Sequence, residues 1–368
     1  MKVERTAWLS ALLEEGRTAG AFPMGAVWVW CGDEVWGEGF CGGASAETRW
    51  DLASLTKPMT VGTIAMEAVS DGRIRLDEVA VEGLWPSVGV GGPPEAKSGV
   101  AALTWEALLG HRAGLPAWKD LVEALPEPRV PGSEAARYAV MALVRMAARE
   151  RDPGAGVEYS DLGYILLGDA LERHLGIMFG EIAWGGGVYC PDVAGGGFAA
   201  AGWCPWRRRE VGPGEVHDPN AWVMGGVAGH AGLFGTTGSV GAWASGLLLR
   251  SAGRATGDTR LDRIASEVVN DFWRSSRRGS IRSGEPSTWV LGWDTPSEAG
   301  SSAGRHVSPD AVGHLGFTGT SVWIDRARRL VVVLLTNRVA WGAQALAPWK
   351  AFRPRLHEAI YEHVGATR

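Results

Sequence analysis

The sequence predicts an α/β (α+β) fold: an antiparallel β-sheet flanked by N- and C-terminal helices, with a mostly helical domain inserted between the two halves of the sheet. Three observations predict it. Val- and Trp-rich runs with strand character lie near both ends of the 368-residue chain, helical periodicity dominates the middle, and helical segments open and close the sequence. The length suits one large or two ordinary domains at roughly 150 residues each. The division expected is residues 1-75 with 277-368 for the sheet domain and 76-276 for the insert, with the active site between them.

Taken in order, residues 3 to 18 place Trp8, Leu9, Leu12 and Leu13 on one side of a helix, which a Gly and Pro break at Gly20 to Pro23 ends. GAVWVWCGDEVWGEGF then supplies two short strands around Cys31-Gly32-Asp33-Glu34, a hairpin by its turn residues. From Ser54 the pattern turns helical, with Ile64, Ala65, Ala68 and Val69 on one face, and Asp71-Gly72 stops it. Helical stretches follow at 103 to 111, 134 to 150 and 161 to 176, the last ending in a Gly cap. Residues 177 to 240 are loop-rich, and LDRIASEVVNDFWRSS predicts a helix over 261 to 276. TSVWIDRARRLVVVLLTNRV reads as two strands around an Asp325 to Arg328 turn, and AFRPRLHEAIYEHVG as a closing helix.

Composition excludes several classes. The formal charge of −5 and scattered basic residues argue against a nucleic-acid partner. The longest aliphatic run, Leu330 to Leu335, is far shorter than the ~20 residues of a membrane span. The N-terminus carries acidic residues and lacks the pattern of a secretory signal, so a cytoplasmic location is expected. Four cysteines, Cys31, Cys41, Cys190 and Cys204, show neither CxxC pairing nor zinc-type spacing, and reduced buried thiols are expected. Nineteen Trp residues could build an apolar acyl pocket or an oligomer surface.

Two motif matches fail on context. Gly37 to Gly42 fits GxGxxG but no helix opens there, and Gly300 to Gly304 fits GxSxG without the flanking strand and helix that a nucleophile elbow requires. His217-Asp218 and His230 have spacing that suits no metal motif, and a loop-structuring role is expected for them. His111 and His174 fall in helical stretches as ordinary core or surface residues.

Ser54-Leu55-Thr56-Lys57 is different. It is SxxK, whose spacing sets both side chains on one helix face, and Lys57 is one of only five lysines among 36 basic residues. Lysine can act as a base when its pKa is lowered, and arginine cannot. A nucleophile at a helix N-terminus also has backbone N–H groups and the positive dipole end at hand for an oxyanion. Alone, SxxK arises by chance about once in a chain of this size.

Tyr159-Ser160-Asp161 and His314-Leu315-Gly316 follow it in order. The set resembles the SxxK, YxN and KTG or HxG motifs of the penicillin-recognising serine hydrolases, in the branch of class C β-lactamase-like esterases, D-peptidases and low-molecular-weight penicillin-binding proteins. DLASLTKPMT, LTWEALLGHRAGLP, YSDLGYILLGDALER and GHLGFTGTSVWIDRARRLVVVLLTNRV look like segments of the same family, and the resemblance spans nearly the whole chain. It implies a β-lactamase/transpeptidase-like fold and no cofactor. It also implies Ser54 as acylated nucleophile, Lys57 and Tyr159 as proton-transfer partners, and the backbone N–H groups of Ser54 and Phe317 as oxyanion hole. Asp161, His314, Gly316 and Phe317 would meet the substrate, His314 orienting Tyr159 or binding it directly.

Two departures bear on the substrate. Asp161 replaces the commonest Asn; a carboxylate there is expected to raise the Lys57 pKa, which would pass the base role to Tyr159. Leu315 replaces a Thr hydroxyl that holds the substrate carboxylate in penicillin-binding relatives, which favours a neutral ester or amide. The expected activity is therefore ester or amide hydrolysis through an acyl-enzyme. A D-peptidase, β-lactamase or acyltransferase with the same residues is the alternative, and an idle relative used for binding or assembly is the reading from another class.

Overall fold

The computed structural model describes residues 2–81, 102–125, 130–147, 150, 152–182, 184, 187–189, 196–281 and 284–366. Helix α1 (Lys2–Thr18) leads into β1 (Gly25–Cys31) and β2 (Glu34–Cys41), the hairpin whose turn puts Gly32 and Asp33 at positive φ. Short strands then mark the loops: β3 (Trp50–Asp51), β4 (Val79–Val81), β5 (Leu103–Thr104), β6 (Val188–Tyr189), β7 (Gly202–Cys204), β8 (Arg209–Val211) and β9 (Leu233–Gly235). Strands β10 (Val312–Gly316), β11 (Thr320–Asp325) and β12 (Leu330–Thr336) return to the hairpin. They form one five-stranded antiparallel sheet in the order β10-β11-β12-β1-β2, so the last strand of the chain pairs with the first, Gly25 opposite Thr336 and Cys31 opposite Leu330.

Every residue of β1, β11 and β12 is buried, because the sheet is covered on both faces. Side chains alternate between the faces with period two. Val27, Val29, Leu330, Val332 and Leu334 pack with Leu9 and Leu13 of α1 and with Phe352, Leu356 and Ile360 of the closing helix α9 (Leu346–Ala366). Ala26, Trp28, Trp30, Val331, Val333 and Leu335 face the other way, into the larger core shared with the middle of the chain.

That middle contributes α2 (Thr63–Ser70), α3 (Trp105–Leu109), α4 (Glu134–Met146), α5 (Asp161–Leu175), α6 (Pro219–Val223), α7 (Thr237–Ser251) and α8 (Ser266–Phe272). Caps set their ends: Ser133, Ser160, Asp218 and Thr236 each accept a backbone N–H from the first turn, and Gly176 closes α5 at φ 65. Helix α7 lies against β1, β11 and β12 although it falls within the 76-276 segment. Its Gly241 is seated on the Trp28 ring, and a Cβ there would strike the ring carbons. The core that α7 shares with the sheet is continuous with the one around α2 and α5.

Three local expectations differ. The segment after Ser54 is not one regular helix: a 3₁₀ turn (Ala53–Leu55) runs into a π-helical stretch (Lys57–Gly62) before α2. The helix expected over 261 to 276 is reduced to α8 between two 3₁₀ turns. His111 is not helical; α3 stops at Leu109 and His111 takes a left-handed φ of 56. Residues 300 to 304 form no strand or helix, and Gly37 to Cys41 belongs to β2 with Gly42 in the turn after it, as their flanks suggested. Cys31, Cys41 and Cys204 are buried cysteines outside any disulfide, and Cys190 lies outside the described residues. No described helix is long and apolar enough to cross a membrane.

Candidate active site

The nucleophile segment is clamped before it is used. Strand β3 pairs with β9, and Leu52 N–H donates to Leu233 O. Thr318 and Thr320, at the end of β10 and the start of β11, donate their hydroxyls to Asp51 O and Leu52 O at 2.8 and 3.1 Å. Ala53 is forced to φ 47, a left-handed conformation worth on the order of 1–3 kcal/mol of strain in a residue with a Cβ. The buried Asp51 carboxylate holds it there, accepting from Ala53 N–H at 2.8 Å and from His217 N–H at 2.7 Å. The result presents Ser54 at the start of a helical segment, on the wall of a cavity of about 270 Å³.

Lys57, one turn on, has no exposed surface. Its ammonium has three donors and three acceptors within reach: Ser54 Oγ at 3.0 Å, Asp161 Oδ1 at 2.6 Å and the main-chain oxygen of His230 at 3.1 Å. Asp161 is brought in by α5, whose cap Ser160 also bonds Pro116 O at 2.7 Å. The Tyr159 ring stands 4.8 Å from Lys57 Nζ, with Ser54 and Asp161 beside its hydroxyl. The structure therefore brings Ser54, Lys57, Tyr159 and Asp161 together, with Lys57 hydrogen-bonded to both Ser54 and Asp161.

Burial holds Lys57 below its ordinary value of 10.5, and the Asp161 carboxylate opposes that shift without reversing it. Asp161 does act to raise it, as expected, but burial outweighs the carboxylate and the net shift is downward. The phenol of Tyr159 moves the other way, held well above its ordinary value first by burial and then by the negative charge of Asp161. Of the two, Lys57 is the group that sheds its proton more readily than normal.

His314 sits on β10 beside this group, buried, with its Nδ1 donating to Leu315 O at 2.9 Å. Burial and the nearby Lys57 charge lower its pKa to about 3, so it is neutral in the working range. Its ring lies 6.1 Å from that of Tyr159, centroid to centroid, without a hydrogen bond between them. Gly316 matters by its lack of a side chain: a Cβ would meet Thr320 Oγ1, and Leu52 O at 2.8 Å. Phe317, one residue beyond β10, lines the cavity with Ser54 and is about half exposed. Arg338 braces it from behind, donating to Phe317 O with its guanidinium 5.1 Å from the ring.

Two residues that sequence reasoning did not assign complete the wall behind Tyr159. His111 stacks on Tyr159 and Tyr164 at 4.7 and 4.8 Å and accepts Ser160 N–H on Nδ1 at 3.1 Å, which its buried, neutral state permits. Trp289 packs at 4.9 Å from Tyr159 and 5.3 Å from His314. The left-handed His111 is separated by about 50 residues of sequence from the tyrosine it supports, and no spacing rule links them. Asp218 and His230 do structure their loop: Asp218 caps α6 through Ala221 N–H at 2.7 Å and takes His230 Nε2 at 2.9 Å. Both also line the cavity, together with His217, Trp118 and Trp206. No group of three or more His, Cys, Asp or Glu among the described residues is arranged to hold a metal ion.

A serine bonded to a buried lysine one turn away, a tyrosine beside them, and a sheet edge alongside define a serine hydrolase of the β-lactamase type. The β-lactamase family model matches residues 9–352, and the chain belongs to that family. A protein of Escherichia coli K12, provisionally named a D-alanyl-D-alanine carboxypeptidase, is 27% identical over 327 residues, covering 80% of this chain and 70% of its own. Among solved structures, a penicillin-binding protein homologue from Caulobacter crescentus has a TM-score of 0.65 at 18% identity, covering 94% of this chain and 97% of its own. EstCE1, a hydrolase with promiscuous acyltransferase activity, has a TM-score of 0.66 at 15% identity, with coverages of 95% and 97%.

Proposed function

We propose that this protein hydrolyses carboxylic esters, or amides, through an acyl-enzyme on Ser54. The observation that carries the reading is the 3.0 Å contact between Ser54 Oγ and a fully buried Lys57 whose pKa burial lowers. Neutral Lys57 takes the Ser54 proton as Oγ attacks the carbonyl, while still donating to Asp161 and His230 O. The backbone N–H groups of Ser54 and Phe317 hold the developing oxyanion. Tyr159, kept protonated by its surroundings, donates to the leaving group and recovers its proton from Lys57. Water then attacks the ester on Ser54 by the same steps in reverse, releasing the acid and restoring the serine.

An ester without a carboxylate fits best. His314 is neutral, and the lining of the cavity carries Asp161 and Asp218 but no lysine or arginine. The names of the curated relatives favour a second reading, a D-peptidase using the same residues. The purified Ser54→Ala variant, assayed with a short-chain aryl ester, is expected to lose at least a hundredfold in kcat/KM; unchanged turnover would sink the proposal. Covalent labelling of Ser54 by a penicillin, combined with poor ester turnover, would move the assignment to the peptidase reading.

A further inference from the structure

The residues around the cavity point to a feature of the substrate that the motifs leave open. This inference rests on the serine-hydrolase reading above. The cavity beside Ser54 is walled by three aromatic side chains: Trp118 lies 5.2 Å from Trp206, and Trp206 lies 6.1 Å from Phe317. The Asp218 carboxylate belongs to the same lining. Its Oδ1 is already occupied, by His230 Nε2 and by Ala221 N–H. Its Oδ2 accepts no hydrogen bond from any described residue and is not among the buried polar atoms, although the side chain is only 20% exposed. A carboxylate oxygen that is neither bonded nor buried, on a side chain lining this cavity, opens into it.

The charges nearby agree. Burial would raise the Asp218 carboxyl, but His230 beside it and the Ala221 N–H outweigh burial and hold it below its ordinary value, so it is ionised at neutral pH. Lys57 is the neutral base in the reaction proposed above, and its two remaining N–H groups go to Asp161 and to His230 O rather than to a substrate. Arg207 turns away to Glu215 and to the main chain of Val216 and His217. His217, on the same wall, is neutral, its pKa lowered to about 4 by burial and by Arg207. The Phe317 ring already carries the Arg338 guanidinium, so the Trp118 and Trp206 rings, together with a free carboxylate oxygen, form the receptor for an ammonium group. Ser54 opens on the same small cavity, so a group that meets Asp218 lies near the scissile carbonyl.

We propose that the preferred substrates carry an ammonium group close to the scissile carbonyl on the acyl side, as in aminoacyl esters or amides, and that Asp218 is the residue that selects for it. A carboxylate in that position meets Asp218 Oδ2 and is rejected.

The test is a panel of benzyl esters on the purified protein: alanine benzyl ester of either hand, its N-acetyl derivative, benzyl propionate and monobenzyl succinate, with propionylcholine placing the cation on the alcohol side. The alanine ester is expected to exceed both benzyl propionate and the N-acetyl ester by tenfold or more in kcat/KM, with the succinate slowest. Raising the pH through the amine pKa, near ~8 for an α-amino group, should erode that advantage. The ratio of alanine ester to propionate should fall toward unity in Asp218→Asn and recover in part in Asp218→Glu. Equal rates for the alanine ester and its N-acetyl derivative in the wild-type protein overturn the proposal without need of any variant. So does a preference for the succinate, or for propionylcholine over the aminoacyl ester. Should no ester turn over, labelling of Ser54 by a fluorophosphonate separates the cases: a labelled serine rejects only the ammonium assignment, and an unlabelled one rejects the serine-hydrolase reading itself.

Discussion

At the residue scale, the site turns on which of two buried groups gives up its proton. Asp161 pulls Lys57 toward the charged form, yet Lys57 has lost all contact with water, and the cost of burying an ammonium wins. Activity should therefore rise with pH as Lys57 loses its proton, with the midpoint below the ordinary lysine value of 10.5. No step near the ordinary histidine value of 6.5 is expected from His314, which is neutral down to about pH 3. A kcat/KM profile measured across the neutral and alkaline range checks both statements. Lys57→Arg preserves a positive charge but cannot be deprotonated, and it should cost about 10²–10⁴ in kcat/KM. Retention of activity by that variant would remove Lys57 from the role of base.

At the element scale, the edge of the sheet and the nucleophile turn are one device. Strand β10 approaches Ala53 so closely that Gly316 has no room for a methyl group, and hydroxyls from Thr318 and Thr320 fasten the main chain of Asp51 and Leu52. Gly316→Ala is expected to push these two segments apart, costing about 1–3 kcal/mol as overpacking usually does and displacing Phe317 from Ser54. Equilibrium unfolding and ester turnover should both register the change, with the loss of kcat exceeding what the remaining folded fraction explains. The SxxK, YxD and HxG residues were legible in the sequence because each motif is short and local. The wall behind Tyr159 was not, because His111 and Trp289 arrive on separate loops and act through ring faces rather than spacing.

At the scale of the whole molecule, the Asp51 carboxyl joins the nucleophile loop to the segment around His217, more than 160 residues later in sequence. Burial raises its pKa from 3.8 to about 6, so the folded protein holds the proton more tightly than the unfolded chain does. The sign follows: this contribution to stability is complete below about pH 4 and is lost as pH rises through about 6. A shift of about two pKa units corresponds to ~3 kcal/mol. Asp51→Asn cannot satisfy both N–H donors and should be less stable at low pH, but its deficit relative to the wild type should shrink between about pH 4 and pH 7. Urea unfolding at a series of pH values measures this difference, and a constant deficit would show that Asp51 does not carry the proton.

The sequence by itself determined the sheet built from both termini and the helices around it, because alternation and helical periodicity are written in neighbouring residues, and its resemblance to the penicillin-recognising serine hydrolases pointed to Ser54, Lys57 and Tyr159. Tertiary structure alone decided the state of those groups. Whether Lys57 is raised or lowered depends on how completely it is buried, and the free oxygen of Asp218 depends on what His230 and α6 have already taken. Both are balances among residues far apart in the chain, and no local pattern records them.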